Sequence, residues 1–189
     1  MRKLIYLMNT SLDGYVEDAN GGLDWATTDE ELHQFFNDQE QELEVSLYGR
    51  RLYEGMYPHW STADQNPDLP ALEREYARIW NAIPRIVFSR TLDHVGVNAT
   101  LMRDSLIEQT TKLKSQPGRW MNVGGATLAA RLIKAGLVDE FRLVIHPVIL
   151  GGGKPYFPNL EAPTHLTLLE TRHFSNGAMY LRYARVSSA

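Results

Sequence analysis

Short apolar runs alternate with stretches of helical periodicity along most of the chain. The apolar runs, each typical of a buried strand, are Lys3–Asn9, Val45–Tyr48, Arg85–Phe88, Ala99–Met102, Arg119–Val123 and Phe141–Leu150. The helices predicted between them begin near Thr28, Gly49, Asp68, Ser105 and Ala126. Two last runs, Leu166–Glu170 and Ala178–Val186, have no helix between them and predict an antiparallel pair. This order predicts a single α/β domain over residues 1–189, with a central, mostly parallel mixed sheet, helices on both faces and an antiparallel C-terminal edge.

Local signals place several boundaries. Thr28 and Glu31 have the spacing of a capping box, so the first helix is expected to begin at Thr28. Its predicted apolar face consists of Leu32, Phe35, Phe36 and Leu43. The second helix is expected to end near Tyr57, and Pro58–Pro67 is expected to form a loop. The segment Leu12–Asp24 carries glycines among acidic residues, which predicts a mobile loop.

The composition narrows the functional classes. The chain has 189 residues, 43% of them hydrophobic, which suits one domain with a sizeable core. A formal net charge of −4 argues against a nucleic-acid-binding protein, which normally carries a basic excess. The absence of cysteine excludes disulfides, thiolate nucleophiles and Cys-ligated metals, and the six scattered histidines lack the spacing of a zinc site. No apolar run approaches the roughly 18 residues of a membrane span, so a cytoplasmic protein is expected.

Three predicted strand ends carry groups that suit an anion, and ligands of open α/β sheets gather at the carboxyl ends of parallel strands. Gly49-Arg50-Arg51 lies at a helix start, where two cations are unfavourable unless an anion lies against them. Ser89-Arg90 follows a strand and suits a phosphate monoester. Gly124-Gly125-Ala126-Thr127 lets backbone N–H groups approach a diphosphate at a helix amino end.

Each of these segments also has a simpler interpretation. Gly49-Arg50-Arg51 could be a turn with two solvated arginines, Ser89-Arg90 an ordinary strand exit, and Gly124-Gly125 a close packing point between strand and helix. Together the three segments favour an extended ligand with several phosphates, such as a phosphorylated dinucleotide. The G-x-G-x-x-G fingerprint of the usual dinucleotide-binding fold is absent from the sequence.

Taken in order, the motifs resemble the dihydrofolate-reductase-like superfamily. The segments that carry the resemblance are Ser11–Gly14, Asp24-Trp25, Tyr48–Glu54, Val87–Leu92, Val123–Leu128, Gly136–Glu140 and His146–Gly153. They look most like the C-terminal reductase domain of the bifunctional riboflavin-biosynthesis deaminase-reductase, without its deaminase half. The resemblance implies a dihydrofolate reductase-like three-layer fold with an NADPH site along the carboxyl edge of the sheet.

The resemblance also implies roles for individual residues at this cofactor site. Those that would cradle the cofactor phosphates are Gly49, Arg50, Arg51, Gly124, Gly125, Ala126, Thr127 and Leu128. Ser89 and Arg90 would receive the adenosine 2′-phosphate, which distinguishes NADPH from NADH. A cis peptide is expected between Gly124 and Gly125. Thr10 aligns with a position that touches the cofactor.

The substrate side departs from the family pattern. Val123 stands where the riboflavin reductase has a glutamate that contacts the substrate, and Leu23 stands where it has a serine. Trp25, which aligns near the nicotinamide, and Phe35 are expected to line the substrate pocket. Asp13, Glu31 or a bound water is the expected proton donor. The capping-box spacing favours Glu31 as the capping acid over a catalytic role, and Asp13 could equally be a turn residue.

The prediction is therefore an NADPH-dependent reductase that acts on a small pterin-like or aminopyrimidine-like heterocycle or on a carbonyl compound. One alternative is an NADP-binding module that has lost its reductase site. Another is a protein-interaction domain, suggested by Tyr57, His59 and Trp60. No metal, nucleic-acid or membrane partner is expected. A homodimer is expected, with the apolar Phe141–Leu150 region as its surface.

Overall fold

A computed structural model of the chain describes residues 1–186, which form ten strands and five helices. The strands are β1 (Leu4–Thr10), β2 (Tyr15–Glu17), β3 (Leu43–Gly49), β4 (Arg85–Phe88), β5 (Ala99–Met102), β6 (Trp120–Gly124), β7 (Glu140–Ile145), β8 (Lys154–Pro155), β9 (Leu166–His173) and β10 (Met179–Arg185). The helices are α1 (Glu30–Gln41), α2 (Arg50–Ala63), α3 (Ala71–Ala82), α4 (Leu106–Ser115) and α5 (Ala126–Lys134). No helix within residues 1–186 is long and apolar enough to cross a lipid bilayer.

Eight strands make one sheet in the order β5-β4-β3-β6-β1-β7-β10-β9. The first six run parallel, and β10 pairs antiparallel with β7 and with β9. Helices α4 and α5 pack on the face that carries Leu4, Tyr6 and Leu47. Helices α2 and α3 pack on the other face, which carries Tyr48 and Val87, and α1 lies beside α3. The predicted three-layer α/β architecture with an antiparallel C-terminal edge is confirmed.

Helix α2 differs from the prediction because it continues through Pro58 to Ala63. Proline at this position removes one backbone hydrogen bond of the helix, which normally favours an end there. Here the aromatic residues on both sides of the proline pack inward, since Tyr57 stacks on Tyr53 and Trp60 packs against Tyr76. This burial outweighs the lost hydrogen bond. The same packing leaves Tyr57 and Trp60 only half-exposed, whereas His59, the third residue of the interaction-domain hypothesis, is exposed.

The first helix begins at a different cap from the predicted one. Asp29, not Thr28, occupies the N-cap position, and its carboxylate accepts a hydrogen bond from the Leu32 backbone N–H. Leu43, predicted on the helix face, is the first residue of β3. The apolar periodicity continues past Gln41 into the strand, so the pattern alone could not separate the two elements.

The segment Leu12–Asp24 is more structured than predicted. Strand β2 lies inside the segment and pairs with β8.

Strand β7 is shorter than the predicted strand Phe141–Leu150, because it ends at Ile145. It lies between β1 and β10, with Phe141 and Val144 buried in the core. Strand β7 itself is paired on both sides and buried on both faces, whereas Ile149 in the segment after it is 71% exposed, so only the end of the predicted region beyond β7 is open to a partner. The homodimer itself stays a prediction.

A buried ion cluster ties the amino ends of the central strands together. Glu140 begins β7 and accepts hydrogen bonds from Lys3 at 2.9 Å, Arg142 at 2.8 Å and Arg182 at 2.8 Å. The Arg142 guanidinium is fully buried and lies over the Trp120 ring. Burial raises the pKa of the Glu140 carboxyl, but these three cations prevail and hold it at about 2.

Replacing Glu140 by Gln would leave Arg142 buried without its charged partner. We expect the free energy of unfolding to fall by about 3–5 kcal/mol, the range for breaking a buried ion pair. Because the folded-state pKa lies below that of the unfolded chain, the stabilisation by Glu140 is present above pH 4.5 and is lost as the pH falls toward 2. Urea unfolding at pH 7, and in steps from pH 4.5 to pH 2, measures both effects.

Glu170→Gln is the matched control for this experiment. Glu170 also pairs with Arg182, at 3.5 Å, but it lies exposed on the edge strand β9. Its replacement should change the free energy of unfolding by less than about 1 kcal/mol. An equal loss of stability in the two variants would contradict the role assigned to the buried cluster.

Candidate active site at the carboxyl edge

The strand order brings the predicted site segments into one row at the carboxyl edge of the sheet. The segments after β4, β3, β6 and β1 lie side by side in that order, and β7 follows. Tyr48 lies opposite Gly124, and Gly49 opposite Phe88. From β4 to β1 the row crosses three strand spacings, or about 14 Å. Groups that are more than 30 residues apart in the sequence therefore face one elongated surface.

Two helix amino ends meet in the middle of this row. Gly49 is the N-cap of α2 and Gly125 the N-cap of α5, and among residues 1–186 neither end receives a side-chain capping bond. The two ends are close, since a Cβ on Gly49 would lie 3.8 Å from the Leu128 Cβ. Uncapped N–H groups and the positive ends of two helix dipoles together attract an anion.

Gly124 is required by packing. A Cβ on Gly124 would overlap the end of the Leu52 side chain and lie 2.9 Å from the Tyr48 ring, so a larger residue would force these side chains between β6 and α2 to move. Gly125 turns the chain into α5 with a φ of +87°, which glycine adopts at little cost. The predicted cis peptide between them is wrong, because the described residues contain no cis bond. The positive φ of Gly125 supplies the change of direction with a trans peptide.

The predicted phosphate-binding arginines are exposed, and each has an acidic neighbour. Arg50 pairs with Glu54 one helical turn later, at 3.0 Å. Arg51 reaches across to Glu17 of β2, at 3.9 Å. It borders an open depression of about 490 Å³, which is lined by Glu17, Asp18, Ala19, Asn20, Gly21, Arg51, Gly153 and Lys154. Exposed pairs of this kind are weak, so an incoming anion can compete for the guanidinium groups.

The end of β4 forms a tight turn. The buried Ser89 hydroxyl oxygen accepts hydrogen bonds from the backbone N–H groups of Thr91 and Leu92, at 3.1 and 3.0 Å. The Ser89 hydroxyl also lies 3.5 Å from the Thr91 hydroxyl, so its proton can be donated to Thr91 or to a ligand. Arg90 projects from the turn and pairs with Asp104, which follows β5. Arg103 donates to the Arg90 carbonyl, at 3.1 Å.

The other end of the row, at β1 and β7, brings the predicted cofactor residue Thr10 next to Asn9 and His146, for which the sequence predicted no role. Thr10 is 1% exposed, and within the described part of the chain its hydroxyl has no hydrogen-bond partner. The neighbouring Asn9 contacts the buried His146 ring, with 2.9 Å between Asn9 Oδ1 and His146 Nε2. Trp25 packs its ring edge-on against His146, with 5.7 Å between the ring centroids. The histidine thus joins β1, β7 and the loop that carries Trp25.

Burial lowers the pKa of His146 below its usual value, so the ring is neutral near pH 7. A neutral ring suits a role in holding Asn9 and Trp25 in place. His146 precedes Pro147 directly after an apolar strand and begins the motif His146–Gly153, and these are the signals that could have identified it. The spacing of histidines alone carries no such information.

Asp13 and Glu31 are already engaged in structural contacts. The Ser11 hydroxyl, with the backbone N–H groups of Leu150 and Gly151, lowers the pKa of the Asp13 carboxyl. The Ser175 backbone N–H, the Arg172 guanidinium and the Ser175 hydroxyl lower that of Glu31. Both groups are therefore held as carboxylates, which is unfavourable for a proton donor. Their role as catalytic acids stays a prediction that the geometry does not favour.

The two predicted substrate-pocket residues are separated. Trp25 is half-buried beside His146 at the carboxyl edge. Phe35 is buried in an apolar cluster, where its ring contacts Phe174 and Tyr180 at centroid distances of 5.2 and 4.7 Å. Phe35 thus packs α1 onto β10, and of the two only Trp25 remains available to a ligand.

Comparison with known proteins places these features in a family. A family model described as the RibD C-terminal domain matches residues 2–180. The uncharacterized protein YyaP of Bacillus subtilis (strain 168) is 35% identical over 184 residues, which are 96% of this chain and 94% of that protein.

Two solved structures show the same fold. A putative riboflavin biosynthesis protein from Shewanella sp. PV-4 has a TM-score of 0.75 and 21% identity, and the match covers 98% of this chain and 99% of that one. The dihydrofolate reductase of Enterococcus faecalis, solved with NADP(H), has a TM-score of 0.59 and 18% identity, covering 98% and 97% of the two chains. The predicted resemblance to the dihydrofolate-reductase-like superfamily is confirmed at the level of the fold.

We expect His146→Ala to release Trp25, because the variant removes the ring edge against which the indole packs. Acrylamide should then quench the Trp25 emission more strongly, and the emission should shift to longer wavelength. The Trp25 contribution is isolated by subtracting the spectrum of the matching Trp25→Phe variant. His59→Ala is the control, since His59 is exposed and packs against Trp60, with 4.5 Å between the ring centroids. Unchanged quenching of Trp25 in His146→Ala would rule out the anchoring contact.

Proposed function

Because the chain belongs to the RibD C-terminal domain family, we propose that it is a reductase of the riboflavin-pathway type that uses NADPH. The proposed substrate is a small heterocycle related to pterins or aminopyrimidines, or a carbonyl compound. The observation that carries this proposal is the row of anion-binding groups from Arg90 to Thr10 along one edge of the sheet. The NADP(H) complex of the Enterococcus faecalis dihydrofolate reductase, which shares the fold, supports the choice of cofactor.

The residues of the row fit an extended phosphorylated dinucleotide. The uncapped amino ends of α2 and α5 offer N–H groups to a diphosphate at the centre. Arg90 and the Ser89 hydroxyl offer donors to a 2′-phosphate at one end. At the other end, the buried Thr10 hydroxyl lacks a partner within residues 1–186, and a polar ligand group would supply one. The span of about 14 Å between these ends suits a ligand longer than a mononucleotide.

Bound NADPH would supply a hydride equivalent to the substrate, while the chain supplies binding, orientation and exclusion of water. Thr10 would fix one ligand group at the end of β1. Trp25, held by His146, would cover the reacting face and limit the access of water. Asn9 keeps its amide N–H₂ free of the contact to His146, so it can donate to an acceptor on the substrate.

Of the proton donors considered, a bound water fits best. Hydrogen bonds hold both Asp13 and Glu31 as carboxylates. His146 is neutral near pH 7 because burial lowers its pKa. A solvent-derived proton therefore needs no side chain to be protonated in advance.

The catalytically idle NADP-binding module is a second candidate, and one observation favours it. Val123 replaces a substrate-binding glutamate of the riboflavin reductase pattern, and its side chain is fully buried in the apolar cluster on the α5 side. It therefore cannot reach a ligand at the carboxyl edge. The module would bind NADPH without reducing any heterocycle.

We expect Arg90→Ala to weaken NADPH binding by about tenfold, because charge-assisted hydrogen bonds to the 2′-phosphate are lost. NADH lacks this phosphate, so its dissociation constant should change less than about twofold. Titrations followed by nicotinamide fluorescence measure both constants. The control is Arg78→Ala, which removes an exposed arginine from α3. Absence of NADPH binding at micromolar concentrations in the wild type would overturn the proposed function.

An assay of substrate turnover distinguishes a working reductase from a catalytically idle NADP-binding module. We expect the wild type to consume NADPH, seen as falling absorbance at 340 nm, with at least one member of a panel containing 5-amino-6-(5-phosphoribosylamino)uracil, dihydrofolate and simple carbonyl compounds. Trp25→Ala should reduce kcat, since water would enter the site, and leave the dissociation constant of NADPH nearly unchanged. Binding of NADPH without turnover of any panel member would favour the idle module.

A further inference from the structure

An acidic side chain pairs with Arg90, the residue proposed to bind a 2′-phosphate. Arg90 donates from both Nε and Nη2 to one oxygen of Asp104, at 2.9 and 2.5 Å. The Arg90 side chain is 80% exposed and that of Asp104 64% exposed. The pair thus lies in solvent at the Arg90 end of the row, and one of the two guanidinium edges that could bind a phosphate is already engaged.

The backbone around this pair holds Asp104 beside Arg90. The Ser89 N–H donates to the Met102 carbonyl at 2.9 Å, which joins the ends of β4 and β5. Arg103 donates to the Arg90 carbonyl and closes the same junction from the other side. Ser105 then takes a left-handed conformation, with a φ of +64°, immediately before α4 begins. The fold itself therefore presents a carboxylate to Arg90.

A carboxylate and a guanidinium at one ribose position have opposite preferences. A carboxylate accepts a hydrogen bond from the 2′-hydroxyl of NADH and repels the 2′-phosphate of NADPH, whereas a guanidinium attracts the phosphate. The phosphate carries a charge of about −1.5 to −2 near neutral pH, so repulsion by a neighbouring Asp104 is substantial. Arg103 adds a second cation close to the same place and allows the phosphate still to bind.

We propose that Asp104 determines the cofactor preference: it weakens the preference for NADPH, so that the chain binds NADH as well as NADPH. Without a 2′-phosphate, Asp104 holds Arg90 and accepts the ribose hydroxyl. With a 2′-phosphate, Arg90 must share its donors between the phosphate and Asp104, and the carboxylate remains as a repelling neighbour. This inference rests on the proposed NADP(H) site and adds a residue that determines which nicotinamide cofactor the site accepts.

The test compares NADPH and NADH dissociation constants, by nicotinamide fluorescence, for the wild type, Asp104→Asn and Asp93→Asn. The wild type should bind the two cofactors within about tenfold of each other. Asp104→Asn should tighten NADPH binding by about threefold to tenfold and weaken NADH binding, because it removes a repelling charge and a hydroxyl acceptor. The effect on NADPH should shrink as the salt concentration rises, since the pair is exposed.

Asp93→Asn is the matched control because it makes the same change of charge three residues from Arg90. Asp93 is exposed, and among residues 1–186 it has no ion-pair partner. An equal shift of the cofactor ratio in both variants, or no shift in Asp104→Asn, would overturn the inference. A wild type that binds neither cofactor would instead overturn the proposed function. Circular dichroism and thermal unfolding verify that both variants are folded.

Discussion

The close approach of α2 to the end of β6 is the contact on which the rest of the site depends. Leu52 lies where a side chain on Gly124 would be, so the helix can come near enough to bring its amino end beside that of α5. Any larger residue at this position would push the two ends apart. The dipoles of both helices, the neighbouring arginines and the end of β1 then face one surface. A single steric requirement in the sheet thus creates the electrostatic character of its edge.

The charges at this edge are balanced in the absence of a ligand. Arg50, Arg51 and Arg90 are each paired with an acidic residue, and all three pairs are largely exposed. Such pairs contribute little to stability, in contrast to the buried cluster around Glu140 at the opposite edge. The ion pairs at the amino edge therefore stabilise the fold, whereas the exposed cations at the carboxyl edge can exchange their acidic partners for a ligand. A net charge of −4 is compatible with an anion site for this reason.

The sequence predicted the placement of segments correctly where only a few residue types suit a position. The glycines and arginines that follow apolar runs marked segments at strand ends, and the strand order places those segments side by side at the carboxyl edge, while their binding roles stay predictions. The predictions failed where contacts between residues far apart in the sequence determine the structure. Phe35 was assigned to a pocket and belongs to a buried cluster with Phe174 and Tyr180. The helix through Pro58 and the cap at Asp29 likewise depend on packing and local bonding that the pattern does not contain.

The sequence by itself determined the α/β class, the family resemblance and the candidate segments at the strand ends. These depend on periodicity and on motifs of a few neighbouring residues, which are local properties of the chain. Only the tertiary structure decided what each charged or polar side chain meets. His146 joins Asn9 and Trp25 across more than 100 residues, and Asp104 meets Arg90 because β4 and β5 end side by side. The strength of such contacts depends on distance and burial in space, and the sequence order of the residues specifies neither.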